Sequence, residues 1–354
     1  MVMQAKPWRR LSLVLAAGLF IAPLAACGGD DDGGSKSGGS VTLGYFPNLT
    51  HGSAIVADQQ GYFKDALAAD GAKLQVQNFD SGSDTIDALL SGSLDATYIG
   101  PSPAITAYAQ SHGDVRIVSG ATQGGAALVV NDSIKTVADL KGKTIATPSA
   151  GNTQDIALKY FLKQNGFQET PDGAGDVTVV NQDNSTTVQT FGTGDIDGAW
   201  VPEPYATQLV QAGGHVLVDE KTLWPDGKYV TTVLLVTKAF LDDHANLVND
   251  LLEAQVKAND YIASNPDDAK KIVGDWLGDY SGKPVDQGVL DSAWANLTFS
   301  NDPVPDSFVE SAKHAEEVGL LEPVDNPGGI FDLDPLNAIL KAAGEPEVAG
   351  PSVQ

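Results

Sequence analysis

The chain has 354 residues, 42% of them hydrophobic, and it carries a net charge of −25 at pH 7. An acidic surface repels phosphate backbones, so the charge excludes nucleic acid as an expected partner. One cysteine in the whole chain excludes an intramolecular disulfide and any CxxC metal or redox site. The length and the hydrophobic fraction are sufficient for two lobes with buried cores.

The first residues have the pattern of a cleaved export signal. Basic residues at positions 6, 9 and 10 precede an apolar run over 11–26, which is too short and too interrupted for a membrane-spanning helix. The run ends in Leu24-Ala25-Ala26-Cys27, which resembles a bacterial lipobox, in which a peptidase cuts before a cysteine that then carries lipid. We therefore expect a signal peptide over 1–26 and lipidation at Cys27.

A tether of 14 residues is expected after the signal, over 27–40. Its Gly, Ser and Asp residues have no apolar side chains with which to bury a core, so the segment favours a flexible linker. Anchor, tether and globular body follow in that order, which predicts a lipid-anchored protein outside the cytoplasm. Removal of the signal leaves the mature chain three charges more negative, because all three lost charges are basic.

An internal repeat with an offset of about 100 residues organises the body. Residues 42–47 align with 144–149, each predicted as a buried strand that leads through a turn into a helix. Residues 91–98 align with 193–200, and both copies contain a turn of the form Gly-x-hydrophobic-Asp. The spacing between these landmarks is kept, which indicates two related α/β units.

Strands and helices alternate in both copies, a pattern typical of parallel sheets covered by helices. In the first copy the predicted strands are 73–78, 96–99 and 115–118, and the predicted helices are 84–90 and 104–110. In the second copy the predicted strands are 177–180, 198–201 and 216–218, and the predicted helices are 186–191 and 205–212.

Two further β-branched runs, 126–130 and 230–236, predict strands at which the chain passes between lobes. The prediction is a two-strand hinge, with lobe one formed by 41–125 plus 233–354 and lobe two by 126–232. Beyond residue 238 the apolar spacing predicts helices that pack back on lobe one, including one over about 306–319.

Catalytic and cofactor motifs such as HExxH and GxSxG are absent from the sequence. Gly142-Lys143-Thr144 resembles the end of a P-loop but leads into a strand, and the required upstream glycine is replaced by Val137. The five histidines lack metal-ligand spacing. No catalytic residue, cofactor or metal is therefore expected.

The turns at the carboxyl ends of predicted parallel strands are the expected ligand site, because solutes bind there in open α/β sheets. Several turns place Ser, Thr, Asn or Gly at a helix start, where free N–H groups and the helix dipole favour an anion. Ordinary helix capping uses the same residue types and remains an alternative. Asn48 and His51 lie in the first of these turns, and the whole set is 45–52, 80–83, 100–103, 121–125, 149–153 and 200–205.

The Trp200-Val201-Pro202-Glu203-Pro204-Tyr205 segment offers an apolar wall and a carboxylate between two prolines. A carboxylate fixed at a cleft accepts hydrogen bonds from a ligand ammonium. A simple surface position for Glu203 is the alternative.

At this point the sequence resembles the periplasmic binding proteins of ABC importers for taurine, aliphatic sulfonates and nitrate. The resemblance extends from Val41 to about Gly319, and its most specific motifs are 79–82, 92–95 with 100–103, 137–143 and 194–200. It implies a two-lobed type II α/β fold, each lobe a mostly parallel sheet flanked by helices, which closes over a small anionic solute and delivers it to a membrane permease. It also implies a monomer and ligand contacts by Ser81, Ser102, Gln123, Asn152, Thr153, Trp200 and Glu203.

Within that class the solute is open among sulfonates, taurine, nitrate and thiamine-precursor pyrimidines. No arginine stands in the candidate turns, so neutral donors are expected to hold a monoanion rather than a dianion. We favour a sulfonate, and taurine in particular if Glu203 meets its ammonium. An enzyme on the same fold and a purely structural surface lipoprotein are the competing interpretations.

Overall fold

The computed structural model describes residues 39–352, and the predicted signal peptide and Cys27 lie outside the described residues. Eleven strands are present within this range. They are β1 (Ser40–Tyr45), β2 (Lys73–Asn78), β3 (Ala96–Ile99), β4 (Val115–Gly124), β5 (Ala126–Val130), β6 (Thr144–Thr147), β7 (Thr178–Asn181), β8 (Gly198–Pro202), β9 (His215–Asp219), β10 (Val230–Thr237) and β11 (Leu297–Phe299).

Thirteen α-helices connect and cover these strands in the described part of the chain. They are α1 (Gly52–Gln59), α2 (Tyr62–Ala69), α3 (Gly82–Leu90), α4 (Pro101–Gln110), α5 (Thr153–Gln164), α6 (Asn184–Thr193), α7 (Tyr205–Gln211), α8 (Lys238–Asp243), α9 (Ala245–Ser264), α10 (Pro266–Ser281), α11 (Gln287–Trp294), α12 (Pro305–Glu317) and α13 (Asp334–Ala343).

The strands form two sheets that are built on the same plan. The first has the order β11-β4-β10-β3-β1-β2, and the second has the order β7-β6-β8-β5-β9. In both, the first strand of the repeat lies between the second and the third and is parallel to each. The two-lobed α/β class predicted from the sequence is thus confirmed.

Each sheet is mixed rather than mostly parallel, because a strand from outside the repeat is inserted antiparallel between its third and fourth strands. In the first sheet this strand is β10, which pairs with β3 and β4. In the second sheet it is β5, which pairs with β8 and β9. Both were predicted as strands, but strand direction depends on a partner far away in the chain and is not encoded in the local pattern.

The matching turns of the repeat make the same contact in both lobes. Asp95 accepts a hydrogen bond from the backbone N–H of Thr42 at 2.8 Å, and Asp197 accepts one from the N–H of Thr144 at 3.0 Å. Each carboxylate therefore ties the start of the third strand of its copy to the start of the first strand. This shared contact explains why both copies of the repeat contain the turn Gly-x-hydrophobic-Asp.

The chain leaves the first sheet through Gly124 and Gly125, which both have positive φ angles, of 76° and 77°. A Cβ atom at Gly125 would lie 2.1 Å from the side chain of Leu297, so both backbone angle and space require glycine there. The chain returns to the first sheet at β10. Two adjacent connections therefore join the lobes.

Candidate functional site

Five helices start at the edge where the two lobes face each other. The helices α1, α3 and α4 follow strands of the first sheet, and α5 and α6 follow strands of the second. All five contribute a cap or first-turn residue to one polar pocket between the lobes. Because the first N–H groups of a helix have no intrahelical acceptor, the pocket is surrounded by positive dipole ends.

The cleft pocket, as we name it, encloses about 50 Å³. Its walls contain neither lysine nor arginine, and one residue with a carboxylate, Asp80. One lining residue, Thr231, lies on β10 of the first sheet. Eight come from the first lobe: Phe46, Asn48, Thr50, His51, Asp80, Gly82, Gly100 and Pro103. Seven come from the second: Pro148, Ser149, Asn152, Thr153, Gln154, Asn184 and Pro202.

His51 lines this pocket as a neutral hydrogen-bond donor. Its Nδ1 accepts the backbone N–H of Phe46 at 3.2 Å, so the ring proton lies on Nε2. The ring stacks on Phe46 with 4.7 Å between centroids, and burial lowers the pKa of His51 to about 3. His51 therefore offers a donor to a solute without adding a charge.

Two buried polar atoms near the pocket have no hydrogen-bond partner within the described residues. Ser102 lies in the first turn of α4 beside the lining residues Gly100 and Pro103, and its hydroxyl is 1% exposed and unpaired. Asn184, the first residue of α6, lines the pocket and has an unpaired Oδ1 atom. Buried polar groups are almost always paired, so these atoms mark a place prepared for a polar ligand.

Hydrogen bonds to buried side chains of α5 fix the conformation of the loop that carries Asn152 and Thr153. Asn152 caps α5 by accepting the N–H of Asp155 at 2.8 Å. The fully buried carboxylate of Asp155 accepts bonds from Gly151 and from Lys159, both at 2.9 Å. Lys159 is 1% exposed and neutralises Asp155, so no net charge lies beneath the pocket from this pair.

Gly100 of the first lobe and Thr153 of the second lie close together at the pocket. A Cβ atom at Gly100 would lie 2.6 Å from the hydroxyl oxygen of Thr153. The φ angle of Gly100 is −71°, which any residue adopts, so space rather than backbone conformation requires glycine here.

A wider groove of about 870 Å³ continues from the cleft pocket and shares Phe46, Asn48, Asp80 and Asn184 with it. Asp80 from the first lobe and Asp183 from the second both line this groove. Partial burial, followed by the nearby charge of Asp183, raises the pKa of Asp80. The two aspartates give this groove a negative potential, in contrast to the positive potential of the helix N-termini around the cleft pocket.

The cleft pocket brings together four of the predicted ligand residues, Asn48, His51, Asn152 and Thr153, with Ser102 adjacent. Sequence reasoning missed Asp80 and Asn184. Asp80 lay in a candidate turn but only its neighbour Ser81 was chosen. Asn184 follows a predicted strand and precedes a predicted helix, the same signal that identified the other turns.

Three predicted ligand residues have other roles in the structure. Ser81 caps α3 by accepting the N–H of Asp84. Gln123 and Glu203 line a separate cavity of about 610 Å³ beside the lobe connections. Glu203 is 3% exposed and accepts bonds from Asn296 and from Thr207, so its carboxylate is committed within the protein.

Trp200 lies in the core of the second lobe and not on the cleft. It is fully buried beside Phe161, and its indole N–H donates to Glu220 at 2.7 Å. Side chains alternate along a strand, and Ala199 and Val201 occupy the opposite face of β8. The tryptophan therefore faces α5, a position that its motif did not reveal.

No group of three or more metal-binding side chains occurs in residues 39–352. Over the same range no helix combines the length and apolar character needed to cross a bilayer.

The chain thus has two lobes of the same plan with a polar pocket between them, which is the architecture of the two-lobed solute-binding proteins. The model of the NMT1-like family matches residues 35–277, and the chain belongs to this family.

Curated relatives of the chain are binding proteins. It is 31% identical to the taurine-binding periplasmic protein of Escherichia coli over 229 residues, which cover 64% of this chain and 68% of that protein. It is 26% identical to a putative aliphatic sulfonates-binding protein of Bacillus subtilis over 310 residues, 86% of this chain and 88% of the relative. The fold is similar to that of the periplasmic nitrate-binding protein of Synechocystis, with a TM-score of 0.69 at 16% identity over 86% of this chain and 89% of the other.

Proposed function

We propose that the protein captures an amino-sulfonate such as taurine, outside the cytoplasm, for an ABC importer. The observation that carries the proposal is the convergence of five helix N-termini on a pocket lined by neither lysine nor arginine. Such a pocket stabilises a monoanion through N–H groups and dipole ends, whereas a desolvated dianion needs stronger compensation. The names of the relatives support a sulfonate as the anion.

We assign the ammonium group of the amino-sulfonate to the wider groove beside the cleft pocket. Asp80 and Asp183 raise the local negative potential next to the anion pocket, so a solute with both charges satisfies both regions. In this proposal Asp80 has the role that the sequence analysis gave to Glu203. The sulfonate contacts are proposed for His51, Ser102, Thr153 and Asn184.

Nitrate is the second candidate, because a space of about 50 Å³ suits a compact anion without a tail. A nitrate ion leaves Asp80 and Asp183 without a positive partner. The charge pattern therefore favours the amino-sulfonate.

Capture is proposed to work by lobe closure. The lobes, 41–125 with 233–354 and 126–232, move as units about the two connections, and a solute that contacts both shifts the population to the closed form. The closed form then docks on a membrane permease. Lipidation of Cys27 after removal of 1–26, with 27–40 as the tether, keeps the monomeric protein near that permease.

The test is calorimetric titration of the globular part, from Gly39 to the C terminus, with taurine, ethanesulfonate, nitrate, sulfate and an aminopyrimidine. Ethanesulfonate has the sulfonate of taurine but lacks the ammonium. Taurine is expected to bind at least tenfold more tightly than ethanesulfonate, and Asp80→Asn is expected to reduce that difference. Tighter binding of nitrate or the pyrimidine would overturn the substrate, and no binding of any solute would overturn the function.

A further inference from the structure

A further cavity, separate from the cleft, lies between α5 and α12 and shares only Lys228 with the cavity beside the lobe connections. It has a volume of about 790 Å³ and shares no lining residue with the cleft pocket or its groove. One side is formed by α5 and by the segment 220–228 of the second lobe, and the other by residues 304–314 of the first. The cavity is large enough for a small organic molecule.

Four of its fifteen lining residues carry aromatic rings. Tyr160 and His314 stack with their ring centroids 3.6 Å apart, and Trp224 lies 5.4 Å from His314. Phe161 completes the wall on α5. Tyr160 and His314 each cover one face of the other, and Tyr229 stacks on one face of Trp224. The remaining ring faces are electron-rich and attract a cation.

Carboxylates accompany the rings. Glu220 lines the cavity at 2% exposure and accepts hydrogen bonds from the indoles of Trp200 and Trp224. No basic side chain is paired with this carboxylate in the part of the chain that the structure describes. Asp306 and Glu310 line the opposite side, and Lys228 is the single lysine of the lining. Glu310 also forms an ion pair of 3.1 Å with Lys313, which lies outside the lining. The charged lining is therefore net negative.

We propose that this cavity binds an organic cation with an apolar body, such as an arylalkylammonium ion. The ammonium group is placed against Glu220 and the aromatic faces, where desolvation strengthens both interactions. The apolar body fills the space beside Phe161 and Trp224. The opposite electrostatics of the cleft pocket, which favours an anion, make the two sites chemically distinct.

The probe is 2-phenylethylammonium, and its matched control is 2-phenylethanol, which has nearly the same shape without the charge. Burial raises the pKa of Glu220 to about 7, so calorimetric titration at pH 8 keeps it ionised. The cation is expected to bind at least tenfold more tightly than the alcohol. Equal affinities, or no saturable binding of the cation, would overturn the proposal.

Two variants locate the site. Trp224→Leu is expected to weaken the cation at least tenfold, and Glu310→Gln, at an exposed rim position, at least threefold, with thermal melts as the check on folding. Asp80→Asn in the cleft groove is the control and is expected to leave the cation affinity unchanged. Loss of binding in Asp80→Asn, displacement by excess taurine, or full binding in Trp224→Leu would place the cation elsewhere and reject this cavity.

Discussion

The side-chain amide of Asn296 donates a hydrogen bond of 2.7 Å to the carboxylate of Glu203, and this bond joins the two lobes beside their connections. Burial raises the pKa of Glu203, and the hydrogen bonds from Asn296 and Thr207 oppose that shift. The bond therefore opposes the rise in the pKa of a buried carboxylate while it links one lobe to the other.

Removing this donor is expected to destabilise the protein. Asn296→Ala leaves a buried acceptor short of a partner, which costs about 1–3 kcal/mol of unfolding free energy. Chemical denaturation measures the loss. Ser292→Ala, which lines the same cavity, is the control and is expected to change stability by less than about 0.5 kcal/mol. Equal stability of the two variants would deny the bond this role.

Glu203 itself is expected to have little influence on the solute. Glu203→Gln retains an acceptor for Asn296 or Thr207 and lies outside the cleft pocket, so the taurine affinity is expected to change less than threefold. Asp80→Asn, measured beside it by calorimetry, is expected to have the larger effect. The reverse order would return Glu203 to the ligand site.

Lobe closure is expected to depend on the missing side chain at position 100. Gly100→Ala places a methyl group against the Thr153 hydroxyl and keeps an allowed backbone conformation, so taurine affinity falls at least tenfold while the unliganded protein stays folded. The double variant Gly100→Ala/Thr153→Ala removes the clash and tests the cause. Because Thr153→Ala also removes a proposed sulfonate contact, the double variant is compared with Thr153→Ala alone. The two should bind taurine about equally; clearly weaker binding by the double variant would mean that the clash with the Thr153 hydroxyl is not the reason.

Acidification is expected to leave the anion affinity nearly constant between pH 8 and pH 6. The pKa of His51 is lowered to about 3, so the ring remains neutral in the pocket over this range. A steep rise in ethanesulfonate affinity below pH 7 would show that His51 becomes protonated on binding.

The stability that neutral His51 contributes to folding also depends on pH. This contribution is full above the pKa of about 6.5 that the histidine has in the unfolded chain. It is lost as the pH falls towards 3, because the unfolded chain takes up the proton first.

Glu220 predicts the opposite dependence. Its folded-state pKa of about 7 lies above the usual value of 4.5 for a glutamate, so the stability it contributes is present below pH 4.5 and is lost as the pH rises through 7. The loss is on the order of 3 kcal/mol. Glu220→Gln is expected to flatten the curve of unfolding free energy against pH from 5 to 8. An unchanged slope would mean that Glu220 is not the titrating group.

The strands and helices were largely predictable from the sequence, because buried β-branched runs and helical spacing are local signals. The predicted strands 73–78 and 96–99 coincide with β2 and β3, and the predicted helix 205–212 differs from α7 by one residue. The antiparallel direction of β5 and β10 was not predictable, since it depends on partners about 70 to 120 residues away.

The lining of the cleft pocket was predictable where a residue follows a strand and precedes a helix, as Asn152 and Thr153 do. The position of Trp200 was not predictable, because the alternation of side chains along β8 decides which face of the sheet the tryptophan occupies. Glu203 was misplaced for a related reason. It follows its strand by one residue, and its side chain turns towards Asn296 at the connections instead of the cleft.

The strand β10 follows all strands of the second sheet in the sequence but belongs to the first sheet. This sets the order in which the two lobes are completed during synthesis. All strands of the second sheet lie within residues 126–219, but the first sheet needs β10 at its centre. A nascent chain that has reached residue 220 thus holds every strand of the second lobe, whereas β3 and β4 of the first still lack the neighbour that joins them. The half made first is completed last, and during that interval it exposes two strand edges that favour association with other chains.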